Sequence, residues 1–132
     1  MPITPIVSTR TITDALPTVL SHQPSANAAA TKTIGVEDDE FVVIWRIVAG
    51  YNASPTITTA NLITTGLNTS EGTAAEGNLD IDFVGTMPVV IEGPFYGTIA
   101  TDVVVTLAAG GAAVTGRINI LYSICQAPSA GV

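Results

Sequence analysis

The chain has 132 residues, of which 47% are hydrophobic and only 11% are charged, and its formal net charge is −7 at pH 7. This length fits one domain with a single hydrophobic core. Nucleic-acid binding through phosphates is excluded, because it needs clustered lysine and arginine. Disorder is excluded by the abundance of valine, isoleucine and threonine.

Cationic residues are scarce, since Lys32 is the only lysine and the arginines are Arg10, Arg46 and Arg117. Lysine is common on free protein surfaces and depleted where proteins touch each other. The scarcity favours a surface that neighbouring molecules cover. A bias of the source toward acidic, lysine-poor proteins is the other interpretation.

The N-terminal stretch 1–33 is predicted to be an extended arm, because it is rich in proline, has little periodicity and contains a low-complexity run at 25–31. A single β-domain is expected at 34–125 and a loose tail at 126–132. The first residues lack the basic and apolar regions of a signal peptide, so no secretory leader is expected. No apolar run reaches the roughly 20 residues of a membrane-spanning helix.

An acidic turn at 37–40 precedes the most apolar strand, predicted at 41–48. Alternation gives the strand two faces, one with Phe41, Val43, Trp45 and Ile47, the other with Val42, Ile44, Arg46 and Val48. Both faces are apolar except at Arg46. Such a strand belongs in the middle of a packed sheet, or in a sheet whose outer face a partner covers. Trp45 is expected in the core.

A threonine-rich strand or a pair of short strands is predicted within 56–70, and further strands follow at 79–84 and 88–92. In the strand at 79–84, apolar and acidic residues alternate, so Leu79, Ile81 and Phe83 are predicted to face inward while Asp80 and Asp82 face water. The acidic pair is interpreted as solvent-facing rather than as a catalytic or metal-binding pair.

The stretch 103–124 is predicted to be a β-hairpin. Gly110 and Gly111 suit a two-residue type I′ turn between arms rich in β-branched residues. A turn centred there places Thr106 opposite Thr115 and Leu107 opposite Val114. The closing Cys125 is the single cysteine, so it forms no intrachain disulfide and is expected to be a small buried hydrophobe.

Strands therefore recur at short intervals with turn residues between them and no helix. This pattern predicts an all-β fold, an antiparallel β-sandwich or a jelly-roll-like small barrel, with an extended N-terminal arm.

No catalytic, cofactor-binding or metal-binding signature is present, so no enzyme and no cofactor are expected. His22 is the only histidine and lies in the predicted arm, and no Gly-x-Ser-x-Gly elbow occurs. The acidic turn at 37–40 could attract Ca²⁺, but it lacks the spaced carboxylates of a calcium loop, so a solvated turn is preferred.

Two classes of function remain: an assembly component and a small carbohydrate-binding β-sandwich module. Aromatic residues make up only 5% of the chain, which weakens the sugar-binding hypothesis. Few charges, loose termini and an apolar strand with two covered faces favour the assembly component.

In size, acidity, cysteine poverty and its loose arm before a β-domain, the chain resembles the decoration (cement) proteins of tailed-phage capsids. This resemblance implies a non-enzymatic protein, commonly a homotrimer, made in the host cytoplasm and bound on the capsid exterior to the major capsid protein. Neither nucleic acid nor membrane is an expected partner. The residues expected to contact the partner are Ile3, Pro5, Ile6, Val7, Arg10 and Arg46. A chain lacking residues 1–30 is then expected to fold but not to bind, and a phage tail or fibre subunit is an alternative.

Overall fold

The structure, a computed structural model, describes residues 17–56, 60–68, 77–83, 86 and 88–127. These residues are all-β and contain no helix. The strands are β1 (Thr18–His22), β2 (Ala30–Ile34), β3 (Glu40–Tyr51), β4 (Asn61–Thr65), β5 (Leu67–Asn68), β6 (Asp80–Asp82), β7 (Val89–Gly97), β8 (Val103–Leu107) and β9 (Gly116–Gln126). Without a helix, the described part of the chain has no helical segment that could cross a membrane.

The strands form two antiparallel sheets. One has five strands in the order β1-β9-β3-β7-β5, and the other has four in the order β2-β8-β4-β6. A continuous cluster of buried apolar side chains contains residues from both sheets. The prediction of an all-β antiparallel sandwich is therefore confirmed.

The core lies where the inner faces of the two sheets meet. Alternate residues of each strand point inward, and β-branched residues and leucine fill these positions. The largest fully buried apolar side chains are Val42, Ile44, Ile47, Ile118 and Ile120 from the five-stranded sheet, and Leu62, Val103, Val105 and Leu107 from the four-stranded sheet. At the edge strand β6, Ile81 and Phe83 face inward and the two aspartates are exposed, as predicted.

A β-bulge changes the alternation of the central strand β3. The register shifts between Ile44 and Arg46, which leaves Trp45 without a partner on β9. The inward-facing set therefore passes from Val42 and Ile44 to Ile47 beyond the bulge. The prediction that Trp45 shares a face with Ile47 in the core is wrong, and the tryptophan is 37% exposed.

The predicted hairpin at 103–124 is wrong. Strand β8 pairs with β2 and β4, whereas β9 pairs with β1 and β3, so the connection between them crosses from one sheet to the other. The turn in this connection runs from Gly111 to Val114, whose backbone nitrogen donates a 3.0 Å hydrogen bond to the Gly111 oxygen. Gly110 has another role, because a Cβ there would lie 2.5 Å from Val114 Cγ1 and 2.8 Å from the Tyr51 ring. It lets the crossing segment pack against the sandwich.

Residues 18–34 contain two sheet strands, β1 and β2, rather than the predicted extended arm. Strand β1 pairs with β9 at the edge of the five-stranded sheet, and β2 pairs with β8 at the edge of the four-stranded sheet. Strand β1 exposes three of its five side chains, and β2 buries only Ala30 and Ile34, which explains why neither strand has a clear hydrophobic pattern. Residues 1–16, the rest of the predicted arm, lie outside the described residues.

Candidate functional site

The outer face of the five-stranded sheet is the candidate functional site. Residues paired across an antiparallel ladder point to the same side, so the register identifies this face. It carries Val19 and Ser21 from β1, Arg117, Asn119, Leu121 and Ser123 from β9, Val43, Arg46 and Val48 from β3, and Val90, Glu92 and Tyr96 from β7. Of the residues expected to contact a partner, Arg46 is on this face, and the others lie outside the described residues.

Large apolar side chains are exposed on both sides of this face. Val19 on β1 is 64% exposed and Val90 on β7 is 55% exposed. Valine in the middle of a regular strand gains nothing from such exposure, since full burial of its side chain stabilises by about 1.5 to 3 kcal/mol. Apolar groups gathered on one face are typical of a binding surface.

Trp45 covers the centre of the outer face. Its indole Nε1 donates a 2.9 Å hydrogen bond to Ser123 Oγ on the neighbouring strand. Ser123 is only 1% exposed, although it points away from the core, because the indole lies over it. The bulge that turns Trp45 out of the core thus places its ring on the surface in a fixed position.

Charged side chains on the outer face are few and of both signs. Arg46 lies between Glu92 on β7 and Leu121 on β9 in the ladder. Both Arg46 and Glu92 are exposed, and neither forms an ion pair with a described residue. Both charges are therefore available to a partner.

A pocket of about 330 Å³ lies at the end of the outer face where β1 ends and β9 begins. Arg117 borders it, and the arginine Nε donates a 2.7 Å hydrogen bond to Gln23 Oε1, which also accepts from Nη2. On the far side, Asn52 Oδ1 accepts a 2.8 Å hydrogen bond from the Thr115 backbone nitrogen. Sequence reasoning noted that Arg117 interrupts an apolar strand, but not the residues that surround it.

The other acidic and nucleophilic candidates are dispersed. The turn at 37–40 is held by a local bond, in which Glu37 N donates to Glu40 Oε1 at 2.8 Å, and by a bond from the end of β9, in which Gln126 Nε2 donates to Asp39 Oδ2 at 2.9 Å. Within the described ranges, no three His, Cys, Asp or Glu side chains come together as a possible metal site. His22 lies on β1 opposite Ile118, far in the fold from the acidic turn.

Tyr51, the last residue of β3, is a buried ionisable side chain. Its hydroxyl donates a 2.7 Å hydrogen bond to the backbone oxygen of Ala108, and its ring meets Phe83 edge-on at 5.4 Å between centroids. Burial raises the pKa of Tyr51 from 10.0 to about 12. These contacts join the two sheets, so the role of Tyr51 is structural.

No family model and no curated protein matches the chain. Among solved structures, it is similar to a chain from a study of Bacillus endospore appendages, described as a novel family of disulfide-linked pili, with 15% identity, a TM-score of 0.30, and coverage of 87% of this chain and 94% of that one. A chain from the structure of Tomato aspermy virus matches with 14% identity, a TM-score of 0.30, and coverage of 88% and 81%. The Yersinia pseudotuberculosis-derived mitogen matches with 15% identity, a TM-score of 0.24, and coverage of 88% and 93%. Similarity at this level carries no functional weight.

Proposed function

We propose that the protein is a non-enzymatic structural subunit that joins a larger assembly through the outer face of its five-stranded sheet. The observation that carries this proposal is the exposure of Val19 and Val90, at 64% and 55%, on two strands of one regular face. That face also presents the side chain of Trp45 and the charges of Arg46 and Glu92, which form no ion pair with a described residue. Aromatic residues, apolar residues and arginine are enriched in protein interfaces, while lysine is depleted there.

The specific form that we propose is a capsid decoration protein, with the major capsid protein as its partner and the capsid exterior as its location. Support comes from the resemblance in size, acidity and cysteine poverty, and a β-sandwich agrees with it. We further propose a homo-oligomer, a trimer in the decoration-protein form, made in the host cytoplasm. Several weak contacts repeated over the copies of such an oligomer give strong binding overall. The contacts expected of Ile3, Pro5, Ile6, Val7 and Arg10 stay a prediction.

The experiment compares a double variant of the full chain with a single-substitution control, and the two place new lysines on different parts of the surface. Val19→Lys and Val90→Lys together add two cations to the outer face. Ile99→Lys is the control, because Ile99 is 53% exposed in the turn after β7, away from that face. Particles are purified from the lysate of a culture whose particles carry the gene for the chain, and each protein is measured by co-sedimentation with them. We expect the wild type and the control to co-sediment with the particles and the double variant not to.

Light scattering coupled to gel filtration measures the oligomer in the same samples. Equal co-sedimentation of all three proteins would contradict the outer face as the assembly surface. Absence of the wild-type chain from purified particles would contradict the proposed decoration role. A monodisperse monomer at micromolar concentration would contradict the proposed homo-oligomer.

A carbohydrate-binding module is the second candidate, because Trp45 is exposed on a face rather than buried in the core. Sugars stack on exposed aromatic rings, and the hydrogen bond to Ser123 holds this ring in place. Isothermal titration calorimetry with a panel of oligosaccharides tests it, because the heat of binding does not depend on the fluorescence of Trp45, the only tryptophan in the chain. Saturable binding that Trp45→Ala abolishes would favour this function over the structural one.

A further inference from the structure

Gly50 borders the pocket at the end of the outer face and lies beside Arg117 in the ladder between β3 and β9. Pro88 packs closely over this glycine, because a Cβ on Gly50 would lie only 3.3 Å from Pro88 Cα. Asn119 and Val48 form the next row and line the same pocket.

The charge of this pocket is opposite to that of the chain. Among the described residues that line it, Arg117 is the one charged side chain and no carboxylate is present. The whole chain, in contrast, has a formal net charge of −7. Arg117 forms no ion pair with a described residue, so its charge is not neutralised within the described fold.

Two amide side chains that line the pocket with Arg117 use their oxygen atoms as acceptors. Arginine and the backbone nitrogen of Thr115 can only donate, so the groups that they bond to in Gln23 and Asn52 must be the amide oxygens. This fixes the assignment of oxygen and nitrogen in both amides. The NH₂ groups of Gln23 and Asn52, and Nη1 of Arg117, are left without a partner among the described residues.

We propose that this pocket binds a carboxylate group. A guanidinium presents parallel N–H donors that match the two oxygens of a carboxylate, and hydrogen bonds with a charged partner are the strong ones. A single cation matches a monoanion better than a phosphate monoester, whose charge is about −1.5 to −2 near pH 7. Val48 and Pro88 supply an apolar wall for the carbon atoms attached to the carboxylate.

The carboxylate can belong to a free organic acid or to a protein, as a side chain or a chain terminus. Binding is measured on the isolated chain, so the test does not depend on the proposed assembly role. The experiment is a titration of ¹⁵N-labelled full chain, followed by the side-chain signals of Arg117 Nε–H and the Gln23 and Asn52 amides. The probes are acetate for a free acid, N-acetylvaline for a chain terminus and N-acetylglutamic α-amide for an acidic side chain.

We expect saturable shifts of these three signals with at least one probe, and the probe that binds most tightly identifies the source of the carboxylate. Arg117→Ala should weaken binding about tenfold or more, in line with the loss of a charged hydrogen bond. Gln23→Glu should abolish carboxylate binding, because the new side-chain carboxylate forms an intramolecular ion pair with the Arg117 guanidinium. Arg46→Ala is the matched control, since Arg46 is an exposed arginine on the same face that does not line the pocket, and its binding should be unchanged.

Four results would overturn the proposal. The first is the same set of shifts with sodium chloride at equal ionic strength, and the second is equal binding of neutral N-acetylvaline methylamide. The third is unchanged binding by Arg117→Ala while its backbone spectrum shows a folded protein. Failure of all carboxylate probes to saturate also overturns it, whatever the outcome of the particle experiment.

Discussion

Replacing Tyr51 with phenylalanine removes a hydroxyl that joins the two sheets and keeps the ring that packs on Phe83. Tyr51 is the last residue of β3 in the five-stranded sheet, and Ala108, which accepts its 2.7 Å hydrogen bond, directly follows β8 in the four-stranded sheet. The net contribution of such a bond is about 1 kcal/mol, and an oxygen left buried without a partner costs more. We expect the variant to lower the free energy of unfolding by about 1 to 2 kcal/mol at neutral pH.

The effect of this substitution should depend on pH. Burial raises the pKa of Tyr51 to about 12 in the folded protein from 10.0 in the unfolded chain. Between these values the unfolded chain has lost a proton that the folded protein still binds, so stability falls as pH rises through this window. The contribution is fully present below pH 10 and lost above pH 12. The phenylalanine variant has no hydroxyl to ionise, so the difference in stability between the two proteins should shrink across the window.

Urea unfolding followed by circular dichroism measures this difference at a series of pH values. Tyr96→Phe is the control, because its hydroxyl forms no hydrogen bond with a described residue, and we expect a change within about 0.5 kcal/mol. A difference between wild type and Tyr51→Phe that stays constant from neutral pH to pH 12 would refute the assigned role of burial. No difference at neutral pH would refute the hydrogen bond.

Two further substitutions test the packing of the sandwich. Gly110→Ala should destabilise by about 1 to 3 kcal/mol, because its Cβ would lie 2.5 Å from Val114 Cγ1, whereas Gly35→Ala, with its nearest contact at 3.8 Å, should have little effect. Leu62→Ala should cost about 2 to 5 kcal/mol in unfolding experiments, because the side chain is fully buried, whereas Ile63→Ala next to it removes a side chain that is 37% exposed and should cost much less. Equal losses within either pair would contradict the burial described here.

The fold class was predictable from the sequence because alternation of apolar and polar residues is a local property. The stretch at 79–83 shows this, since Phe83 belongs to the core cluster, Leu79 packs against it, and Ile81 pairs with the buried Leu62, while the two aspartates are exposed as the spacing predicts. The central strand was also found, although the structure extends it to Glu40–Tyr51. Inserting one residue at the bulge reverses which positions face the core, and no local pattern indicates where such an insertion occurs.

Which strands pair was not predictable, because pairing depends on residues far apart in the chain. Two apolar strands joined by Gly110 and Gly111 look like a hairpin, but each has partners in a different sheet. The edge strands were missed for a related reason. In β1 only Leu20 packs against the core cluster, so the strand leaves almost no hydrophobic period in the sequence.

The candidate site has the same dependence on distant residues. Arg117 and Gln23 are separated by 94 positions, and only the pairing of β1 with β9 brings them together. The sequence shows Arg46 and Arg117 as unusual residues in apolar strands. It does not show that the amide of Gln23 accepts hydrogen bonds from Arg117. The exposure of Val19 was also hidden, since its strand was interpreted as part of an arm.

Strand β1 is an edge strand of the five-stranded sheet, and β2 is an edge strand of the four-stranded sheet. A short stretch of chain therefore covers one edge of each sheet. Removing residues 1–30 therefore does not release a freestanding domain from a tether. The truncation removes β1, which pairs with β9, and shortens β2, which pairs with β8. Backbone N–H and C=O groups of these edges are then open to solvent. Truncated copies would then add to one another strand by strand, and the damaged protein would be found in the insoluble fraction.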